Sequence, residues 1–366
     1  MKTVRTGLVA IAALVMASSS PAQAQVTDCP LATAPYSVDS PLIDLLLKPE
    51  AKAVLAQDMG ADFAKVSPFL SGTQAPTFSV IMSPRTLFDF LKLDTSALPR
   101  IDARLKQISV TPADQIARCA RYDNDHADPR PEGKGLHVLV FEKINGFYDK
   151  GSVDAAHAAL ADMAATQGWS MQFTDKGGAI RPEVLQRYNL VVWNNISGDA
   201  LTVPQRAAFQ TWIQNGGGFV GIHGAAGDPA TFWDWYTDKL VGASFLGHPM
   251  NPQFRAATVR VADQADPVTR GLPISFSVTD ELYSFRKNPR QAGVHVLATL
   301  DEASYAPPPE LSMGADHPIA WKHCVGRGRA YYSALGHTPA SYADPNHRRL
   351  LVQAINWAGT PDPACR

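Results

Sequence analysis

The sequence predicts an α/β domain built on a parallel sheet, set behind a small helical unit. Two observations carry this reading. From residue 136 onward, short apolar runs alternate with stretches of helical length, the pattern of strands joined by crossover helices. Before residue 122 the apolar residues instead follow helical spacing. Between them, Asp123–Gly135 (DNDHADPRPEGKG) is charged and rich in proline and glycine, which marks a joint between the two units.

Residues 1–24 read as a secretory signal. Lys2 and Arg5 precede the apolar run Leu8–Ala17, and Ala22-Gln23-Ala24 supplies an A-x-A cleavage pattern. The mature chain then starts at Gln25, and the protein is expected to be exported to a periplasmic or extracellular space. No later run approaches the roughly 18 apolar residues a membrane span needs, so no integral membrane association is expected. The whole chain has 33 basic and 34 acidic residues. Losing Lys2 and Arg5 with the signal leaves a small negative charge and no electrostatic reason to expect nucleic acid as partner. Cys29, Cys119, Cys324 and Cys365 form an even set without C-x-x-C spacing, so disulfides are expected, paired Cys29–Cys119 and Cys324–Cys365 because each pair would staple one end of a unit.

After a polar lead (25–40), the helical unit covers 41–122. Leu42, Leu45, Leu46, Val54, Leu55 and Met59 share a face. Ser83-Pro84 and Thr111-Pro112 are helix starts, with a hydroxyl cap before proline at the first helical position. The unit holds no histidine and no carboxylate cluster, so it reads as a packing or docking domain.

The second domain covers 136–360. Strands are expected at 136–141, 169–174, 190–194, 219–223, 257–261, 293–300, 318–324 and 329–334. Helices are expected at 153–168, 204–215 and 344–358, giving a sheet covered on both faces with a mixed edge.

In such sheets ligands sit beyond the carboxyl ends of the strands. Gly221-Ile222-His223-Gly224-Ala225 ends one, with small residues around a protruding side chain as in a nucleophile elbow. A histidine at the tip removes the usual acyl-enzyme nucleophile and leaves acid/base chemistry or metal ligation. His248, Asp280, Glu281, Tyr283, His317 and His337 also lie beside glycine, proline or strand ends. By residue type, His223, His248, His337 and Glu281 suit a divalent metal such as zinc, although no local spacing brings them together. Asp280-Glu281 reads equally well as an exposed pair at a strand start. Trp233, Trp235, Tyr236, Tyr283 and Phe285 could form a sugar-stacking wall, or the tryptophans could close the segment after the elbow onto the core. His126, His157, His295, His323 and His347 read as structural or surface groups.

The blocks GGGFVGIH (216–223), GHP (247–249), DELYSF (280–285), GADHPIAW (314–321) and GRAYYSALGHT (328–338) resemble, in that order, the ThuA-like (trehalose utilisation) family. The resemblance implies a flavodoxin-like sandwich of the class I glutamine amidotransferase-like fold, with histidine in place of that group's cysteine. It also implies a small carbohydrate partner, from trehalose and other disaccharides to their keto-sugar derivatives. No nucleotide cofactor is expected. Carried over residue by residue, His223 matches the elbow histidine, His248 the GH histidine, Glu281 the acidic position of the DE block and His337 the LGH histidine. From the residues themselves, His223, Glu281 and His337 are the expected catalytic groups, with His248, Asp280, Tyr283, His317 and Trp233 expected against the substrate. Many relatives read G-F-R-H after the first strand. Here Asn145-Gly146-Phe147-Tyr148-Asp149 lacks the arginine and histidine, which argues against a role for that loop. Two functions follow: an exported enzyme using His223, or a non-catalytic carbohydrate-binding module in the same cleft. An amidotransferase is disfavoured without a cysteine at position 223, and a serine hydrolase because Ser244 is not at an elbow.

Overall fold

The computed structural model describes residues 26–228 and 231–365. The expected signal sequence lies outside the described residues. Among the described residues eleven strands occur: β1 (His137–Phe141), β2 (Ser170–Thr174), β3 (Leu190–Asn194), β4 (Gly218–Ile222), β5 (Phe245–Gly247), β6 (Phe254–Val261), β7 (Ser275–Glu281), β8 (Ser284–Phe285), β9 (His295–Asp301), β10 (His317–Val325) and β11 (Gly328–Ser333). Nine form one sheet in the order β2-β1-β3-β4-β11-β10-β9-β6-β7, and β5 pairs with β8.

The sheet has two halves. From β2 to β11 every neighbouring pair is parallel, and from β11 to β7 every pair is antiparallel. Every residue of β3, β4 and β11 is buried, and since successive side chains point to opposite faces, both faces are covered there. β6 and β7 instead alternate buried with exposed residues over most of their length, as strands with one wet face do. The antiparallel part is thus more than the mixed edge expected from the sequence. Strand β7 escapes the sequence reading because Ser275–Thr279 carries polar residues on its wet face. The Asp280-Glu281 pair accordingly ends a strand and is buried, correcting its placement at an exposed strand start.

The helical unit forms as expected. Leu42, Leu45, Leu46, Val54, Leu55 and Met59 are all buried in an apolar cluster that runs from residue 36 to 105, separate from the cluster of residues 138–358. Ser83 and Thr111 each close a capping box, with proline opening the helices Pro84–Leu91 and Pro112–Cys119. The buried Arg121–Asp44 ion pair, at 2.7 Å, ties the end of this unit to its first helix. Both expected disulfides are present, and all four cysteines are used. Among the described residues no helix is long and apolar enough to cross a membrane.

Candidate active site

Because β1, β3, β4 and β11 run parallel, their carboxyl ends share one edge of the sheet. His223 follows β4 and His337 lies shortly beyond β11, so the topology brings two histidines 114 residues apart to the same edge. His223 has φ +41°, a conformation that costs free energy for a residue with a Cβ and marks the elbow as strained. Gly336, at φ +126°, lets the chain turn toward the site, and a Cβ there would come within 2.6 Å of the Tyr342 hydroxyl.

Glu281 arrives from the far side. Three strands separate β7 from β11, and at about 4.8 Å per strand a flat sheet would hold β7 roughly 19 Å away. Yet the Asp280 carboxylate accepts hydrogen bonds from the backbone N–H groups of Gly336 (2.8 Å), His337 (3.1 Å) and Thr338 (3.3 Å), and from the Ser341 hydroxyl. The antiparallel half therefore curls back over the edge. Asp280, buried and occupied in this way, is the clamp that holds the His337 turn rather than the substrate contact the sequence suggested.

With the clamp closed, three donor atoms converge. Glu281 Oε2 lies 3.0 Å from His337 Nδ1 and 3.3 Å from His223 Nε2, and the two ring nitrogens are 3.0 Å apart. His223 Nδ1 is 2.6 Å from the Ala334 carbonyl, an acceptor, so Nδ1 carries a proton and Nε2 is the ring nitrogen turned to the cluster. The far nitrogen of His337 faces Asp149 Oδ2 at 3.1 Å. Burial by itself would push the His337 pKa down, but the Glu281 hydrogen bond and the charges of Glu281, Asp149 and Asp280 outweigh it and raise the pKa above the usual histidine value. Burial would raise Glu281, and the hydrogen bonds from His223 and His337 overcome it and hold the carboxyl well below the usual range.

Ligands at about 2.1 Å from one ion stand about 3.0 Å apart in cis-octahedral and about 3.4 Å apart in tetrahedral geometry. The observed edges of 3.0, 3.0 and 3.3 Å fit either. His223, Glu281 and His337 thus form a two-histidine, one-carboxylate set that could hold a divalent cation and leave coordination positions open. His248, expected among the ligands, stands outside this set. Its Nε2 reaches the other Glu281 oxygen at 3.1 Å, its Nδ1 is held by the Pro249 carbonyl, and its side chain keeps 19% exposure.

The remaining expected residues divide. Tyr283 packs on the His223 ring at 4.2 Å between centroids, and burial pushes its phenol well above the ordinary range. His317 is fully buried and holds the Tyr283 carbonyl through Nε2 at 2.8 Å, so it supports Tyr283 and does not face the cluster. Trp233 lies against Phe209, Tyr236 and the Arg206 guanidinium, closing this segment onto the core, which corrects its expected place against substrate. His347 is buried, and His157, His295 and His323 make their contacts outside this cluster. Sequence reasoning missed Asp149, Phe147 and Phe254. The 145–149 loop contributes after all, through Asp149 and through Phe147, whose ring stacks 6.3 Å from that of His337, while Phe254 lies 5.2 Å away. The available signal was position: Asp149 lies in the loop leaving the carboxyl end of the first parallel strand.

A family model described as ThuA, trehalose utilisation, matches residues 137–358. The chain belongs to the ThuA family. A ThuA-like protein of known structure from Bacteroides uniformis is 26% identical, with 65% of this chain and 98% of that one covered and a TM-score of 0.54. A second ThuA-like structure, from Parabacteroides merdae, is 19% identical over 62% of this chain and 91% of its own, with a TM-score of 0.49. Comparison with curated proteins gives no match. The helical unit precedes the ThuA match, and with every cysteine in a disulfide, this ThuA domain offers no thiol nucleophile among its described residues.

Proposed function

We propose that this ThuA-family protein is an exported enzyme acting on a sugar, disaccharide or keto-sugar derivative by metal-assisted acid/base chemistry. The observation that carries the reading is the convergence of His223 Nε2, His337 Nδ1 and Glu281 Oε2 at the strand ends. The family's description as trehalose utilisation supports the carbohydrate class, and the paired cysteines are compatible with export.

A divalent cation such as zinc, held by those three atoms, would supply Lewis acidity toward a ketone or hydroxyl oxygen. The chain's own residues do the rest. The Ala334 carbonyl fixes the His223 tautomer, and Asp149 orients His337 from its far side. His248 has Nδ1 against the Pro249 carbonyl and is the most exposed of the three histidines beside Glu281, so its Nε2 is the atom that takes a proton from substrate. A ketone acidifies the neighbouring C–H, so one base at this position suffices for elimination or isomerisation.

Elemental analysis of the protein purified without a histidine tag, beside its His223→Ala variant, tests the reading. Near-stoichiometric metal in the parent and none in the variant is expected, with turnover of 3-keto disaccharides by the parent. Metal in neither protein overturns the metal-assisted mechanism. Binding of sugars without turnover would instead favour the binding module.

A further inference from the structure

A cleft of about 650 Å³ lies between the helical unit and the 146–148 loop, within the size range of small-ligand sites. Its walls carry Phe69 and Phe78 from the helical unit, and Phe147 and Tyr148 from the loop. Phe69 is 58% exposed and Tyr148 44%, a concentration of open aromatic surface that water does not favour and that commonly marks a binding groove. The rings form a series: Phe69 to Phe147 is 6.4 Å between centroids, and Phe147 to His337 is 6.3 Å. One phenyl ring therefore belongs both to the cleft and to the histidine site.

The cleft is held in shape. Thr77 N–H donates to the Asn145 carbonyl at 3.0 Å, joining the two units beside it. A Cβ at Gly146 would come within 2.5 Å of both Ile81 Cγ2 and Ser197 Oγ, so the loop seats against the helical unit only because glycine stands there. The ordering cost of this recognition surface is met in folding and not on binding.

Its chemistry selects the occupant. None of the residues lining the cleft is charged, which fits a neutral ligand. Beside the aromatic side chains the lining includes Thr73 and Gln74, both exposed, which suits a flat ring with apolar faces and a hydroxyl edge. We propose that the N-terminal helical unit builds a second sugar subsite, in which Phe69, Phe147 and Tyr148 stack a pyranose ring adjoining the one held at His337. This inference rests on the carbohydrate reading above and narrows it: the substrate is a disaccharide or longer, and the unit outside the ThuA match sets that length.

Calorimetric titration of the full mature protein and its Phe69→Ala, Phe69→Trp and Tyr148→Ala variants with glucose, trehalose, cellobiose, lactose and indole decides it. Phe69 and Tyr148 are exposed enough for truncation to leave the fold intact, which a thermal melt checks. The expected result is about tenfold weaker binding of at least one disaccharide by each alanine variant, recovery in Phe69→Trp, glucose affinity within about threefold, and unchanged metal content. Equal loss for glucose and disaccharide, no loss at all, or binding of indole with no disaccharide overturns the subsite. The two readings fail separately. A parent that binds disaccharides through Phe69 but holds no metal and turns nothing over keeps the subsite and loses the enzyme, whereas turnover indifferent to Phe69→Ala does the reverse.

Discussion

Two histidine–carboxylate clusters sit at the same edge of the sheet. His337 and Glu281 belong to one; His317, which opens β10 antiparallel to β11, and Glu302 belong to the other. Both histidines are buried, and each lies within 3.0 Å of its carboxylate. In the His317 cluster each ring nitrogen faces fixed oxygens: the Tyr283 carbonyl on one side, Glu302 and the Tyr305 hydroxyl on the other. In the His337 cluster a second imidazole enters and three donor atoms face one another. Residue type is shared, so the convergence of three potential ligand atoms is what separates the candidate centre from a brace.

The sharpest way to break this contrast is to remove one histidine from each cluster, and the carboxylate of the first. His337→Ala and Glu281→Gln are expected to abolish metal binding and lower turnover by about 10³-fold or more, in line with loss of a central catalytic group. His317→Asn should retain metal and lose less than about tenfold in rate. Equal metal loss in the His317 variant would erase the distinction.

The clamp gives the next largest effect. Asp280→Ala removes a buried carboxylate that accepts three backbone N–H groups of the 336–338 turn, leaving those donors unpaired, so a loss of about 2–4 kcal/mol in urea unfolding is expected. If Asp280 instead contacts substrate, KM will rise while the unfolding midpoint stays put. For the brace, Glu302→Gln should lower stability by about 1–2 kcal/mol near neutral pH without changing metal content.

The smallest effect is in pH. Burial would raise the Glu302 carboxyl, but hydrogen bonds from the Ser312 hydroxyl, Met313 N–H and His317 lower it below its usual value. A depressed folded pKa contributes stability that is complete above the unfolded value of about 4.3 and is lost as pH falls through the folded value. Melting of the parent should therefore decline more steeply below about pH 4.3 than melting of Glu302→Gln. Parallel profiles would remove Glu302 as the acid-sensitive group of the brace.

Much of the architecture was legible in local pattern. Strands β1, β3 and β4 are apolar apart from His137 and Asn194 at their ends, because burial on both faces removes any need for polar alternation. The caps at Ser83 and Thr111 and the buried face from Leu42 to Met59 could be read because helix ends and amphipathic spacing are set within a few residues. The elbow at His223 was legible from its small neighbours. Strand β7 was not, since alternation on a wet face resembles a polar loop.

The sequence by itself thus determined the two units, the parallel core, an even set of cysteines suited to disulfides and the chemical types of the site residues, all of which follow from local spacing or composition. Tertiary structure alone decided which of those residues meet. Only the curl of the antiparallel half brings Glu281 to His223 and His337, only the 145–149 loop's path puts Asp149 and Phe147 beside His337, and only the docking of the helical unit opens an aromatic cleft there. The physical reason is range: spacing encodes contacts within an element, whereas a pairing across 56 residues, as between Glu281 and His337, depends on strand order and sheet curvature that no short window contains.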